Sequence, residues 1–514
     1  MLVSLALLPL TLAATLPTVP SSFHLPLKVL ESRQHSDDIS QRQAWLISQA
    51  KSMRAKYEPY LNEEGKELLK RDRMEKEGQM KRAQQSIDLI DIGLDGLYTA
   101  PIEIGWATLK LCLTVNLSAD FCSTPPQQFI VIMDTGSSDL WVAEKGCTAD
   151  FCSKTYTFDA SNSFTFETER KQFSIAYGSG NAGGYLANDT VSTGGFTVRE
   201  QAFAVVTQAI DGLIDYPTSG LLGLAWNTIA SAYSTPFWQA LASSGAWDSP
   251  EMGVYLARFK GNSSAQKIEF DGGHFIFGGV DSTKFEGDLN YIPIGPGERD
   301  FWKLPLEGMT VGGNPVDVSK GLLIGRKAPA CAIDTGTTLI GVPTDMAAAI
   351  YAQIPGSSKV PSSVMGQGGY YQYPCDTNVD VKLKFGGVEY GISNTDMNFG
   401  TFTDDGKTCI GAFFGQDVSP RSPVQWIVGA AFLKNVYTSF RYEPTAIGFA
   451  PLTTNVTLLH SKRMPVTSEE ATINGTTSSS SRGAQLTGRV DVQQRGVLWG
   501  VLGLGAMLGL ALAL

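Results

Sequence analysis

A short pattern occurs twice in this chain. Ile132-Met133-Asp134-Thr135-Gly136-Ser137-Ser138 returns two hundred residues later as Ala332-Ile333-Asp334-Thr335-Gly336-Thr337-Thr338. Each copy is two apolar residues, then Asp-Thr-Gly, then two hydroxyl residues. That spacing is the size of a duplicated lobe and too long for a solenoid repeat. A second echo follows each copy: Leu221-Leu222-Gly223 after the first and Ile427-Val428-Gly429 after the second. Such a chain is constrained to fold as two similar halves, each presenting one Asp-Thr-Gly loop. Where the halves meet, two carboxyls can share one proton and serve as acid and base.

The 514 residues suffice for two lobes and additional segments. A formal net charge of −10 argues against nucleic acid as a partner, because phosphate binding needs clustered Lys and Arg. From about 84 to 451 the chain is Gly-rich, with short apolar runs such as 173–177 and 203–206 bounded by Gly and Asp. This composition predicts a mainly β fold. Helical stretches are few; 344–353 is the clearest, with Thr344 expected as its N-cap.

Further motifs lie in order around the two copies. They are Thr124-Pro125-Pro126-Gln127-Gln128-Phe129, the extension of the first copy through Asp139-Leu140-Trp141-Val142, Tyr177-Gly178-Ser179-Gly180, and Phe277-Gly278-Gly279-Val280-Asp281. Over about 97–452 the chain resembles the pepsin-like aspartic proteases, most closely the fungal secreted, surface-anchored ones. The resemblance implies two β-rich lobes, 83–290 and 291–452, with the active-site cleft between them. It implies an endopeptidase acting on proteins or peptides at acid pH, without cofactor or metal, as a monomer. Asp134 and Asp334 would be the catalytic pair. Thr135 and Thr335 would bond across the interface, and Gly136 and Gly336 would let the backbone approach the carboxylates. Ser137 and Thr337 would donate to the outer carboxylate oxygens. Tyr177, Gly178 and Ser179 would form a flap over substrate, with Trp141 bonded to the tyrosine hydroxyl. An uncharged Ser179 favours apolar side chains beside the scissile bond. The resemblance also implies the disulfides Cys147–Cys152 and Cys375–Cys409, and Cys331 reads as a buried thiol.

The ends carry separate signals. Residues 1–20 read as a secretory signal peptide, without the usual basic start. Residues 21–82 are charged and helix-prone and end in Lys81-Arg82, as a propeptide would. Residues 453–483 are Ser/Thr-rich, a glycosylated stalk. The apolar tail ends in Ala-Leu with no basic flank, so 484–514 read as a glycolipid (GPI) anchor signal rather than a spanning helix. Sequons stand at Asn116, Asn188, Asn262, Asn455 and Asn474. These features place the protein outside the cell, anchored to the plasma membrane or passed to the wall.

One segment departs from the pattern. Residues 106–123 separate Ile104-Gly105 from Thr124-Pro125-Pro126 and carry Cys112 and Cys122. The segment is either a hairpin extension closed by a Cys112–Cys122 disulfide or a retained intron. The second reading is favoured because its removal restores Ile-Gly-Thr-Pro-Pro-Gln.

Two other patterns lead elsewhere and are rejected. Gly178-Ser-Gly180-Asn-Ala-Gly183 satisfies a dinucleotide fingerprint, but a strand-like run follows where a helix is required. His274 is the sole histidine in the catalytic region and reads as structural, so a serine-type triad lacks its base. A binding protein of the same fold, or a wall adhesin, would not require both Asp-Thr-Gly frames intact.

Overall fold

The computed structural model describes residues 83–105 and 126–453, apart from 149, 154, 178–179, 210–216, 263, 320–321, 323–326, 362–368, 404–405 and 419–421. The signal and leader, the 106–123 insertion, the stalk and the tail lie outside the described residues. So do Gly178, Ser179, Cys112, Cys122, Asn116, Asn455 and Asn474.

Strands dominate the described residues, as the Gly-punctuated apolar runs predict. A nine-stranded sheet belongs to the first half; its spine is Leu97–Ile104, Gln127–Asp134, Gly220–Gly223, Leu140–Ala143 and Phe196–Ala209. Three smaller sheets belong to the second half, one with the spine Ala330–Ile333, Trp426–Val428, Ile340–Val342 and Phe413–Gly415.

The two spines repeat one construction. Gln127–Asp134 pairs in parallel with Gly220–Gly223, which pairs antiparallel with Leu140–Ala143. Ala330–Ile333 pairs in parallel with Trp426–Val428, which pairs antiparallel with Ile340–Val342. The apolar-apolar-Gly triplets are therefore strands threaded between the two arms of each Asp-Thr-Gly loop. Their glycines are required by close approach. A Cβ on Gly223 would lie 2.6 Å from Ser138 Cα, and one on Gly429 would lie 2.8 Å from the Thr337 carbonyl carbon. A side chain there would push the crossing strands apart.

The halves are joined by a six-stranded antiparallel sheet in the order Gln85–Asp88, Gly273–Phe277, Glu251–Leu256, Val436–Arg441, Ala446–Pro451, Asn290–Pro293. A boundary at 290/291 thus falls inside a strand of this shared sheet. The buried core runs continuously beneath both halves. At its centre Trp226, Trp238 and Trp302 meet with ring centroids 5.0–5.3 Å apart. Trp302 Nε1 donates to Leu224 O and Trp238 Nε1 to Ala225 O, both at 2.8 Å. These bonds fix the chain just beyond Gly223, so the core supports the first loop from below.

One helix departs from expectation. It spans Thr344–Tyr351 and its N-cap is Pro343, not Thr344. Thr344 is already helical; Asp417 accepts from its N–H and its hydroxyl, both at 2.9 Å. A carboxylate from a distant loop satisfies the donor that a local cap would otherwise serve.

Candidate active site

Asp134 ends its strand and Asp334 directly follows Ala330–Ile333, so each carboxyl stands where a strand turns into a Gly-containing loop. Both are almost fully buried. Gly136 N donates to Asp134 Oδ1 and Gly336 N to Asp334 Oδ1, each at 2.8 Å. Ser137 Oγ donates to Asp134 Oδ2, and Thr337 Oγ1 to Asp334 Oδ2. Each carboxylate thus has one inner and one outer oxygen held by equivalent donors.

The threonines between them lock the two loops together. Thr135 N donates to Thr335 Oγ1 at 3.1 Å and Thr335 N to Thr135 Oγ1 at 3.0 Å. Thr135 Oγ1 donates to Ile333 O at 2.8 Å and Thr335 Oγ1 to Met133 O at 2.6 Å. Every bond has its mirror in the other half, giving a local two-fold axis between the loops. The glycines make room for the pair. A Cβ on Gly136 would lie 2.5 Å from Asp334 Cγ, and one on Gly336 would lie 2.6 Å from Asp134 Cγ.

Burial raises both carboxyls, because the charged form loses its water. Asp334 is raised further by the charge of Asp134, while hydrogen bonds from Ser137, Asp334 and Gly136 oppose the rise at Asp134. Two raised carboxyls this close cannot both ionise freely, and the two titrate as a unit.

The hairpin of Gln172–Tyr177 and Gly180–Thr193 closes at the pair Tyr177 and Gly180. Tyr177 OH accepts from Trp141 Nε1 at 2.8 Å. The phenol is buried and close enough to Asp134 and Ser137 that both bear on its ionisation. The false dinucleotide fingerprint is resolved here, since Gly180 begins a long strand, not a helix.

Motif reasoning passed over two neighbours. Ser138 Oγ donates to Trp226 O at 2.6 Å, and buried Asp139 accepts from Ser231 N and Ala232 N, both at 2.8 Å. An acidic residue opening the apolar run Leu-Trp-Val was the available signal, since a buried carboxylate demands donors. Elsewhere Cys147–Cys152 and Cys375–Cys409 are disulfide-bonded, and Cys331 is a buried thiol kept protonated by burial. His274 packs beside Tyr255 and Tyr437, and burial lowers it to about 4. Asn188 is exposed and Asn262 half-buried.

Residues 122–452 match the model of the family described as eukaryotic aspartyl protease. The chain belongs to that family. It is an aspartic-type endopeptidase with the bilobal pepsin fold, and its substrates are proteins or peptides. It is 53% identical over 456 residues to major aspartyl peptidase 1 of Cryptococcus neoformans var. grubii, covering 88% of each chain. It is 31% identical over 372 residues to an aspartic protease of Phaffia rhodozyma, covering 72% of this chain and 80% of the relative. Against pepsin A of Sus scrofa the identity is 31% over 333 residues, covering 64% of this chain and 79% of the relative. Proteases of this family are proteins of the secretory pathway.

Proposed function

We propose that this endopeptidase cleaves proteins at acid pH by direct attack of water, activated by Asp134 and Asp334. The observation that carries this is the mirrored cage of donors that holds the two buried carboxyls against each other's loops. The ionised carboxyl takes a proton from water as the oxygen adds to the peptide carbonyl. The protonated one donates to the developing oxyanion, and a proton then passes to the leaving amine. No covalent intermediate forms. Thr135, Thr335, Gly136, Gly336, Ser137 and Thr337 hold the pair in place. Tyr177, steadied by Trp141, closes over an extended peptide.

The test is a peptide with a secondary alcohol in place of the scissile carbonyl, which mimics the tetrahedral state. It should inhibit at least 100-fold more tightly than the matched methylene peptide, on the order expected for transition-state mimics. Equal affinity would contradict a shared-proton pair.

The leader 21–82, the junction at Lys81-Arg82 and the tail support a secreted zymogen held at the cell surface by a glycolipid, with sugars at Asn188, Asn262, Asn455 and Asn474. The full chain, expressed in a secreting host, should yield active enzyme beginning at Ala83 and released from the surface by a phosphatidylinositol-specific phospholipase. Activity with the leader attached, or surface material resistant to the lipase, would contradict it. The insertion is read as a retained intron. Ile104 pairs with Gln127, so removing 106–123 leaves a four-residue connection, Gly105-Thr124-Pro125-Pro126, within the usual hairpin range of about 2–5. Transcripts that always retain the segment would overturn this.

A further inference from the structure

Thr338 follows the second Asp-Thr-Gly-Thr and is bound very differently from its counterpart Ser138. Its hydroxyl donates to Gly96 O at 2.6 Å, a residue of the first half. Gly96 follows Asp95, which is buried. The Asp95 carboxylate accepts from Phe259 N at 2.6 Å and from Lys434 Nζ at 2.7 Å. Lys434 closes the short helix Ala430–Leu433, whose first N–H groups donate back to the Asp334 loop. Ala430 N donates to Thr337 O at 2.8 Å and Ala431 N to Thr338 O at 2.9 Å. The bonds form a closed ring: Asp334 loop, helix, Lys434, Asp95, Gly96, and back to Thr338.

Ionic partners brace this ring from both halves. Lys434 Nζ also pairs with Asp396 Oδ1 at 2.7 Å, and Asp396 is held by Arg258 Nη2 at 2.5 Å. Arg258 Nη2 also donates to Lys434 O at 3.2 Å and to Asn435 Oδ1 at 3.1 Å. Asp95 N donates to both oxygens of Asp91, at 2.9 and 2.8 Å. Buried charges of this kind are costly unless paired, and breaking one pair leaves the rest exposed to that cost. A network so placed resists small displacements of any member.

We propose that Asp95 and Thr338 are positioning residues for the reaction, holding the Asp334 loop in register with the Asp134 loop through the Gly96 carbonyl and Lys434. This rests on Asp134 and Asp334 being the reacting pair. The geometry explains why the ring is attached to one loop alone. Ser138 of the Asp134 loop bonds to the Trp226 carbonyl of its own half, whereas Thr338 of the Asp334 loop bonds across to Gly96 of the opposite half. The titratable and charged groups facing the ring are Asp91, Tyr98, Arg258, Lys260 and Asp396. Asp396 is held well below the usual carboxylate range by Lys434 and Arg258, against its burial, so Asp396 stays ionised in acid.

Thr338→Val removes the hydroxyl and nearly keeps the volume; Thr338→Ser keeps the hydroxyl. Both should be measured for kcat and KM across the acid range, beside Asp334→Asn. The expected result is a kcat lowered about tenfold in Thr338→Val, with KM within about twofold and a displaced acid limb, and recovery in Thr338→Ser. A Thr338→Val enzyme with unchanged kcat and pH profile, beside an inactive Asp334→Asn, would overturn the positioning role and leave the pair intact. Failure of Thr338→Ser to recover would overturn it as well, since packing rather than the bond would then matter. An active Asp334→Asn would remove the reading on which the proposal stands. The paired variant Asp95→Asn with Lys434→Met removes both partners together and avoids stranding one buried charge. It should reproduce the kcat loss of Thr338→Val in folded protein; unchanged kcat would overturn the ring.

Discussion

The two Asp-Thr-Gly loops are nearly identical in their inner contacts and unlike in their outer ones. From Asp134 to Ser137 and from Asp334 to Thr337 each hydrogen bond that uses a side chain has its mirror. One residue further the symmetry ends. Ser138 bonds to Trp226 in its own half, and Asp139 holds Ser231 and Ala232; Thr338 reaches across to Gly96, and the place of Asp139 is taken by apolar Leu339. The chemistry demands equivalence only where the carboxyls meet. Beyond that, the two loops rest on different packing, each drawn from both halves: indoles beneath the first, a buried ion network beside the second.

The comparison can be broken at several depths. The largest effect should come from the pair itself. Asp134→Asn and Asp334→Asn should each lower kcat by about 1,000-fold or more, because either change removes one half of the acid–base exchange. A loss confined to one variant would mean that the loops are not functionally equivalent. Next come the threonines. Thr135→Val and Thr335→Val each delete bonds to the opposite loop and strand a buried N–H. Each should cost about 1–3 kcal/mol in denaturant unfolding, and the two costs should match. Unequal costs would show that one half carries the lock.

A third test addresses the ion network beside the second loop. Burial and the Asp95 charge push Asp91 up to about 8. The unfolded value is near 3.9, so the folded protein keeps a proton that the unfolded chain releases. This contribution is complete below about pH 4 and is lost as pH rises through about 8. Asp91→Asn should therefore flatten the decline of thermal stability between those limits; an unchanged slope would exclude Asp91 as its source. The smallest effect should come from the flap. Trp141→Phe removes the donor to Tyr177 OH and should lower kcat/KM several-fold, on the order of 1 kcal/mol for one hydrogen bond.

The inner site was legible in the sequence because catalysis there uses a contiguous, repeated motif. The β class was legible from Gly-punctuated apolar runs. The apolar-apolar-Gly triplets were visible as an echo, but their meaning was not. That each threads its loop, with Gly223 and Gly429 at the crossing, is a property of strand order. The helix cap was misplaced because Asp417 lies far along the chain from Thr344. The buried ions were hidden for the same reason. Asp91 between two isoleucines and Lys434 beside Phe432-Leu433 announce buried charge, yet partners such as Asp95 and Asp396 become neighbours only after folding. Local motifs reveal what reacts; long-range pairing decides what holds it.

The central claim is that two mirrored carboxyls share one proton. The most direct measurement is the pH dependence of kcat/KM for peptide hydrolysis by the form spanning Ala83 to Pro451, freed of its leader. A bell with both limbs set by the pair, with its maximum in acid and a fall toward neutrality, is the predicted result. A single limb, or a plateau extending through neutral pH, would contradict it, because a pair that has lost its last proton has no acid left to give.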